Sequence, residues 1–94
     1  MGEEESTLLA FENVFSSKGR IRIIKMLSEV GEMHISGIAR HVKLSYTTTN
    51  NHLQKLKEAG LVQEKKFGRV RIFRFKNEDQ RAQKVKKFID SWGE

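Results

Sequence analysis

Ser45-Tyr46-Thr47-Thr48-Thr49-Asn50-Asn51-His52-Leu53-Gln54-Lys55-Leu56-Lys57-Glu58-Ala59-Gly60-Leu61-Val62 is the stretch whose reading decides the fold, together with the basic segment that runs on to Phe75. Ser45 is a good helix N-cap. Thr49, Leu53 and Leu56 then recur inward at helical spacing, and Gly60 supplies the left-handed residue that ends a helix of about residues 46–59. Opposite that stripe lie Thr47, Asn50, Asn51 and Gln54, because residues three and four apart are neighbours on a helix. A merely solvated face would be better served by the stronger helix formers Glu, Lys and Ala. Asn and Gln can instead bond adenine edges in bidentate fashion, and Thr can donate, accept or touch a thymine methyl. Tyr46 near the helix start can reach a phosphate, and Ser45 and Lys55 join the candidate DNA contacts.

Downstream, Leu61–Phe67 and Arg69–Lys76 are rich in Val, Ile and Phe and read as two strands, with Gly68 where a hairpin needs a permissive backbone. Residues 61–76 hold Lys65, Lys66, Arg69, Arg71, Arg74 and Lys76 against Glu64 alone, a local balance of 6 − 1 = +5. A charge run is usually only a solvated surface. On a protruding ribbon directly after the polar helix, however, Lys65, Lys66, Arg69 and Arg71 suit phosphate or minor-groove contact. In the second strand Val70 and Ile72 fall on one face and Phe73 and Phe75 on the other, which leaves the inward face open.

Upstream, Ser36 caps a helix carrying Ile38, Ala39 and Val42, and Lys43-Leu44 makes the turn into the polar helix, so the pair forms a helix-turn-helix. Met33-His34-Ile35 alternates as a brief strand would. Before Gly31, Ser16-Ser17 caps a helix whose Ile21, Ile23, Ile24, Met26, Leu27 and Val30 make a broad, central apolar face. Leu8, Phe11 and Phe15, with Leu9 and Val14 beside them, suggest a first short amphipathic helix. At the other end Ala82, Val85, Ile89 and Trp92, with Phe88 beside them, form a narrow stripe on a helix over 78–92, a shape suited to packing against another helix. The expected architecture is mainly α with a small β-hairpin: a winged helix-turn-helix of five helices, with one short strand between the second and third and the hairpin between the fourth and fifth.

Ninety-four residues suit one core, here a single domain over 7–94 behind a flexible acidic tail at 1–6. The net charge of +6 and pI near 9.8 favour a polyanionic partner. With no Cys in the chain, thiolate metal sites and thiol nucleophiles drop out. No apolar run approaches the roughly 18 residues that cross a bilayer, and Met1-Gly2-Glu3-Glu4-Glu5 is acidic where a signal peptide is basic, so the expected location is cytoplasmic and nucleoid-associated, with no membrane partner. His34, His41 and His52 never stand at the i, i+4 spacing of paired ligands, and surface or capping roles fit them better than a metal; His52 precedes inward Leu53 at the core margin. Scattered Ser, His and Glu with no recognisable catalytic context give no sign of an enzyme or of a cofactor.

Lys18-Gly19-Arg20-Ile21-Arg22-Ile23-Ile24-Lys25-Met26-Leu27, then Ile35-Ser36-Gly37-Ile38-Ala39, then Asn51 to Val62 and the Gly68-Arg69 turn resemble, in order and spacing, the winged-helix repressors of the ArsR type over about residues 11–76. MarR-like and other archaeal winged-helix regulators share the Leu-x-x-Leu-x-x-Ala-Gly-Leu-Val pattern of residues 53–62. The resemblance implies that Thr47, Asn50, Asn51 and Gln54 face the major groove, with Arg69 at the wing tip. It also implies a homodimer through the first and last helices, by Leu8, Phe11, Phe15, Val85, Phe88, Ile89 and Trp92, and those stripes are indeed more than a small monomer hides comfortably. Metal-sensing members carry a Cys motif where this chain has His34, and others use His on the last helix, where this chain has none. Metal sensing is therefore not expected.

These readings converge on a sequence-specific double-stranded DNA-binding regulator, a homodimeric repressor, whose effector is open. Two other classes compete. An architectural DNA-coating protein would use the wing equally well but waste the polar helix face, and a winged-helix protein-interaction module would have little use for the basic hairpin.

Overall fold

The computed structural model describes residue 12 and residues 14–92. Its elements are α1 (Lys18–Val30), β1 (Glu32–His34), α2 (Ile35–Val42), α3 (Tyr46–Glu58), β2 (Val62–Phe67), β3 (Val70–Phe75) and α4 (Gln80–Trp92). Four helices are thus delimited among the described residues, and Glu12, Val14 and Phe15 ahead of them are helical as well, with the Ser16 N–H on the Glu12 carbonyl at 2.9 Å. The first expected helix falls mainly on Leu8, Leu9 and Phe11, which lie outside the described residues. Of its stripe, Val14 is buried in the core and Phe15 packs at its edge.

Each boundary has a local cause. The Ser17 hydroxyl accepts from the Arg20 N–H at the start of α1, and Gly31 ends that helix at φ 92°, a conformation that favours glycine. The third sequence-expected helix begins earlier than its Ser36 cap implied: Ile35 is its first residue and His34 the N-cap, with no side-chain cap bond. Lys43 then takes φ 60°, the one described non-glycine residue at positive φ, and turns the chain from α2 into α3. Gly60, at φ 78°, closes α3, with the Leu61 N–H reaching back to the Leu56 carbonyl at 3.0 Å. The last helix starts at Gln80 rather than 78, because Asp79 serves as its cap and accepts from the Ala82 N–H at 3.1 Å.

The three strands pair antiparallel in the order β1-β3-β2, with Met33 opposite Phe73, Glu64 opposite Phe73 and Val62 opposite Phe75. This settles the face that the alternation left open. Phe73 and Phe75 point inward and are fully buried, whereas Val70 is exposed and Ile72 half-buried. Two apolar faces competed on paper; helices cover only one side of the sheet. The core joins Ile23, Ile24 and Leu27 of α1, Ile38 of α2, Leu53 and Leu56 of α3, and the two sheet phenylalanines. Val30, expected on the buried face of its helix, is the last residue of α1 and is exposed.

Thr49 also lies in this core, fully buried, with no hydrogen-bond partner for its hydroxyl among the described residues. An unpaired buried hydroxyl opposes folding, so the isosteric Thr49→Val should raise unfolding stability in urea by about 1 kcal/mol. A loss of that size would instead reveal a bond the hydroxyl makes.

Candidate nucleic-acid interface

Ser45 starts α3 at φ −64°, ψ 161°; its hydroxyl accepts from the Thr48 N–H at 3.1 Å and also bonds the Thr48 hydroxyl at 3.0 Å. That cap uses the hydroxyl assigned to DNA from the sequence. With Thr49, Leu53 and Leu56 locked inward, helical spacing turns Thr47, Asn51 and Gln54 outward, and Thr47 and Asn51 are exposed. Asn50 lies on the flank of α3 that meets the wing. Its Oδ1 accepts from Gln54 Nε2 at 3.3 Å and from Arg71 Nη2 at 2.9 Å.

Arg71 is the centre of this arrangement. From β3 its Nε donates to Glu64 Oε2 at 2.7 Å, its Nη1 to the Tyr46 hydroxyl at 3.1 Å and its Nη2 to Asn50, while the guanidinium sits 5.4 Å from the centre of the Phe73 ring. Lys57 of α3 donates to the other Glu64 oxygen at 3.1 Å. Strand alternation places Glu64, Lys66 and Arg71 on the inward face beside α3, and Lys65 and Phe67 on the outer one. The Glu64 side chain is only 6% exposed, and the Arg71 hydrogen bond holds its carboxyl down at about 2. Glu64 raises the Arg71 guanidinium in return.

The wing cations therefore divide. Arg71 is engaged with α3, and Lys65 pairs with Glu32 on the outer face at 3.3 Å. Arg74 bonds Glu78 and Gln63, tying the sheet to the start of α4. Lys66 and Arg69 are exposed and make no ion pair among the described residues. Lys55 lies on the far flank of α3 from the wing, in loose contact with Glu58 at 3.8 Å. The sequence reading missed Glu64 and Lys57 as partners in this site. A lone acid within a basic ribbon was the available signal.

On the other side of α3, Arg20 Nε donates to His52 Nδ1 at 3.2 Å, and a Cβ built at Gly19 would stand 2.7 Å from His52 Nε2. His52 therefore packs against α1 at the core margin, as its place before Leu53 suggested. Burial and then the Arg20 charge lower its pKa. Among the described residues, no three His, Cys, Asp or Glu side chains come together as metal ligands.

At the two ends of the chain, the Phe15 and Phe88 rings meet edge to face at 6.4 Å, and Phe88 lies 6.2 Å from Trp92. Val85 and Ile89 are partly covered by the core, whereas Phe88 and Trp92 are exposed. Leu8 and Phe11 lie outside the described residues. No described helix is long and apolar enough to cross a membrane.

A helix-turn-helix followed by a basic hairpin lodged against its second helix defines a winged helix-turn-helix protein. The bacterial regulatory protein arsR family model matches residues 17–64, and the chain belongs to that family. The chain is 32% identical over 76 residues to the uncharacterized HTH-type transcriptional regulator MJ1325 of Methanocaldococcus jannaschii, covering 81% of this chain and 83% of that protein. It is 31% identical over 67 residues to the cadmium resistance transcriptional regulatory protein CadC of Listeria innocua, covering 71% of this chain but only 56% of the length of CadC. In fold it matches the homodimeric winged helix-turn-helix DNA-binding domain Mb0332 from Mycobacterium bovis, with TM-score 0.73 and 22% identity over 99% of this chain and 87% of that one. The family is one of regulatory proteins, CadC and MJ1325 carry the names of transcriptional regulators, and Mb0332 is described as a possible one.

Two titrations give this geometry a pH signature. Glu64 ionises at about 2 in the fold against 4.5 ordinarily, so its contribution is complete above about pH 4.5 and is lost as pH falls towards 2. His52 is also lowered, from 6.5, so the unfolded chain takes up that proton first and stability declines as pH drops below about 6.5. Urea denaturation across pH 3–8 should show both losses. His52→Gln should flatten the upper one, and Glu64→Gln should cost about 1.5–3 kcal/mol at pH 7 while flattening the lower.

Proposed function

We propose that the protein is a sequence-specific double-stranded DNA-binding transcription regulator, a repressor, that acts as a homodimer. The observation that carries this reading is the exposed polar face of α3, held rigidly beside a basic wing by Arg71. In it, Thr47, Asn51 and Gln54 meet base edges in the major groove, while Lys66 and Arg69 neutralise phosphates beside it. Tyr46 and Asn50 act through the Arg71 network, which presents α3 and the wing at a set spacing. Ser45 serves by its cap, and Lys55 and Lys65 lie at the periphery, where a long side chain can exchange a protein carboxylate for a phosphate.

The dimer in this reading is made by the exposed Phe88 and Trp92 with Phe15, Val85 and Ile89, and by Leu8 and Phe11 of the preceding segment, within one domain over 7–94. Mb0332, of the same fold, is homodimeric, which supports a dimer as such. Two-fold symmetry then calls for a pseudo-palindromic site with half-sites ~34 Å apart, one helical turn. A cytoplasmic, nucleoid-associated location follows from such a role. The cadmium resistance in the name of CadC is not carried over to these 94 residues, which contain no cysteine.

Selection of bound duplexes from a random library should yield a two-fold motif. Enrichment of no sequence would favour an architectural DNA-coating protein, and no binding at low salt a protein-interaction module. On the selected site, Asn51→Ala should cost about 1–3 kcal/mol of discrimination against random duplex. Lys66→Ala with Arg69→Ala should weaken all duplexes alike and flatten the salt dependence by about one to two counterions per subunit. An unchanged slope removes the wing from the mechanism.

A further inference from the structure

The wing tip carries a second chemistry besides charge. The register sets Phe67 opposite Val70 across the Gly68-Arg69 turn, on the outer face of the ribbon, away from the buried Phe73 and Phe75. Phe67 is 62% exposed and Val70 48%. Neither belongs to the core cluster. The turn itself needs only Gly68, whose φ is 61°, and a β-branched polar residue would pair as well at position 67. An aromatic ring at the apex of a two-stranded ribbon therefore adds nothing evident to folding.

Its surroundings identify what covers it. Exposed Lys66, on the opposite face of the ribbon, and Arg69, in the turn, flank Phe67 in sequence, and Glu64, the sole acid of the hairpin, is engaged in its bonds with Arg71 and Lys57. Such an apex suits a polyanion with an apolar interior. A DNA duplex has that construction, with phosphates outside and stacked bases within, and the Arg71 network fixes the apex relative to the exposed face of α3. The minor groove is ~6 Å wide and admits the tip of a hairpin rather than a whole sheet.

We infer that Phe67, backed by Val70, is a wedge that inserts between base pairs from the minor groove while α3 lies in the adjacent major groove. This rests on the DNA-reading function proposed above and adds a specificity determinant that makes no hydrogen bond. Inserting an apolar side chain unstacks a base step and kinks the duplex. Pyrimidine–purine steps deform most easily, so the site should contain a TA or CA/TG step beneath each wing.

The test uses the 94-residue protein and a duplex from the random-library selection, with 2-aminopurine at the step under the wing and a donor–acceptor pair on the duplex ends. Wild type should brighten 2-aminopurine several-fold and bend the duplex by roughly 20–90°. Phe67→Ala should still bind, about tenfold more weakly, with both signals lost, whereas Phe67→Leu, which retains an apolar wedge, should keep them. A straight, stacked duplex with wild type overturns the inference, as does Phe67→Ala behaving like wild type. A changed oligomeric state of Phe67→Ala without DNA also overturns it, by making the apex a contact between copies. Failure of the wild type to bind any duplex at low salt would bring down the DNA-reading function itself, and the wedge with it.

Discussion

The Arg71 guanidinium, shared among Glu64, Tyr46 and Asn50, is the interaction on which the rest of the candidate interface depends. A two-stranded ribbon is only marginally ordered by its own pairing and needs support from a neighbouring element. At the base of the wing that support is the pairing with β1 and the burial of Phe73 and Phe75, and nearer the tip it is one planar cation whose donors diverge toward β2 and two positions on α3, with an aromatic ring beneath it. Lysine, with a single ammonium on a flexible stem, could not hold three partners in fixed directions. The nearly buried carboxylate of Glu64 makes the arrangement stringent, because loss of either charge would strand the other.

This constraint sorts the polar residues of α3 by what they can do. Asn50 and Tyr46 have partners before any ligand arrives, so a contact from them to a base or phosphate must displace or extend an existing bond. Thr47 and Asn51 face solvent, and water is all they lose. Readout by exposed groups on a rigid helix, with the flanking groups spent on rigidity, lowers the ordering cost of association. The fold contributes to the same end from the opposite flank, where His52 seats α3 against Arg20 and Gly19.

Much of this was legible in the chain. Ser45, the Thr49-Leu53-Leu56 repeat and Gly60 marked α3 because capping and periodicity are local properties. The winged arrangement followed from their order. What was not legible depended on tertiary choice. Both faces of β3 carry apolar residues, and only the position of the helices decides that Phe73 and Phe75 go inward while Val70 stays exposed. Arg71 looked like one more wing cation, because nothing in its sequence neighbourhood shows that strand pairing places it beside Glu64 and α3. The same holds for Lys65 and Glu32, 33 positions apart.

Rigidity of the wing against α3 can be measured directly, because the chain has no cysteine to interfere with site-directed labelling. Nitroxides on Glu58→Cys and Arg69→Cys, at exposed positions on α3 and the wing tip, report their separation by pulsed electron paramagnetic resonance. A single narrow distance distribution that broadens when Glu64→Gln is added is the expected result. The same width with and without Glu64 would show that the Arg71 network does not hold the wing, and would contradict the account at its centre.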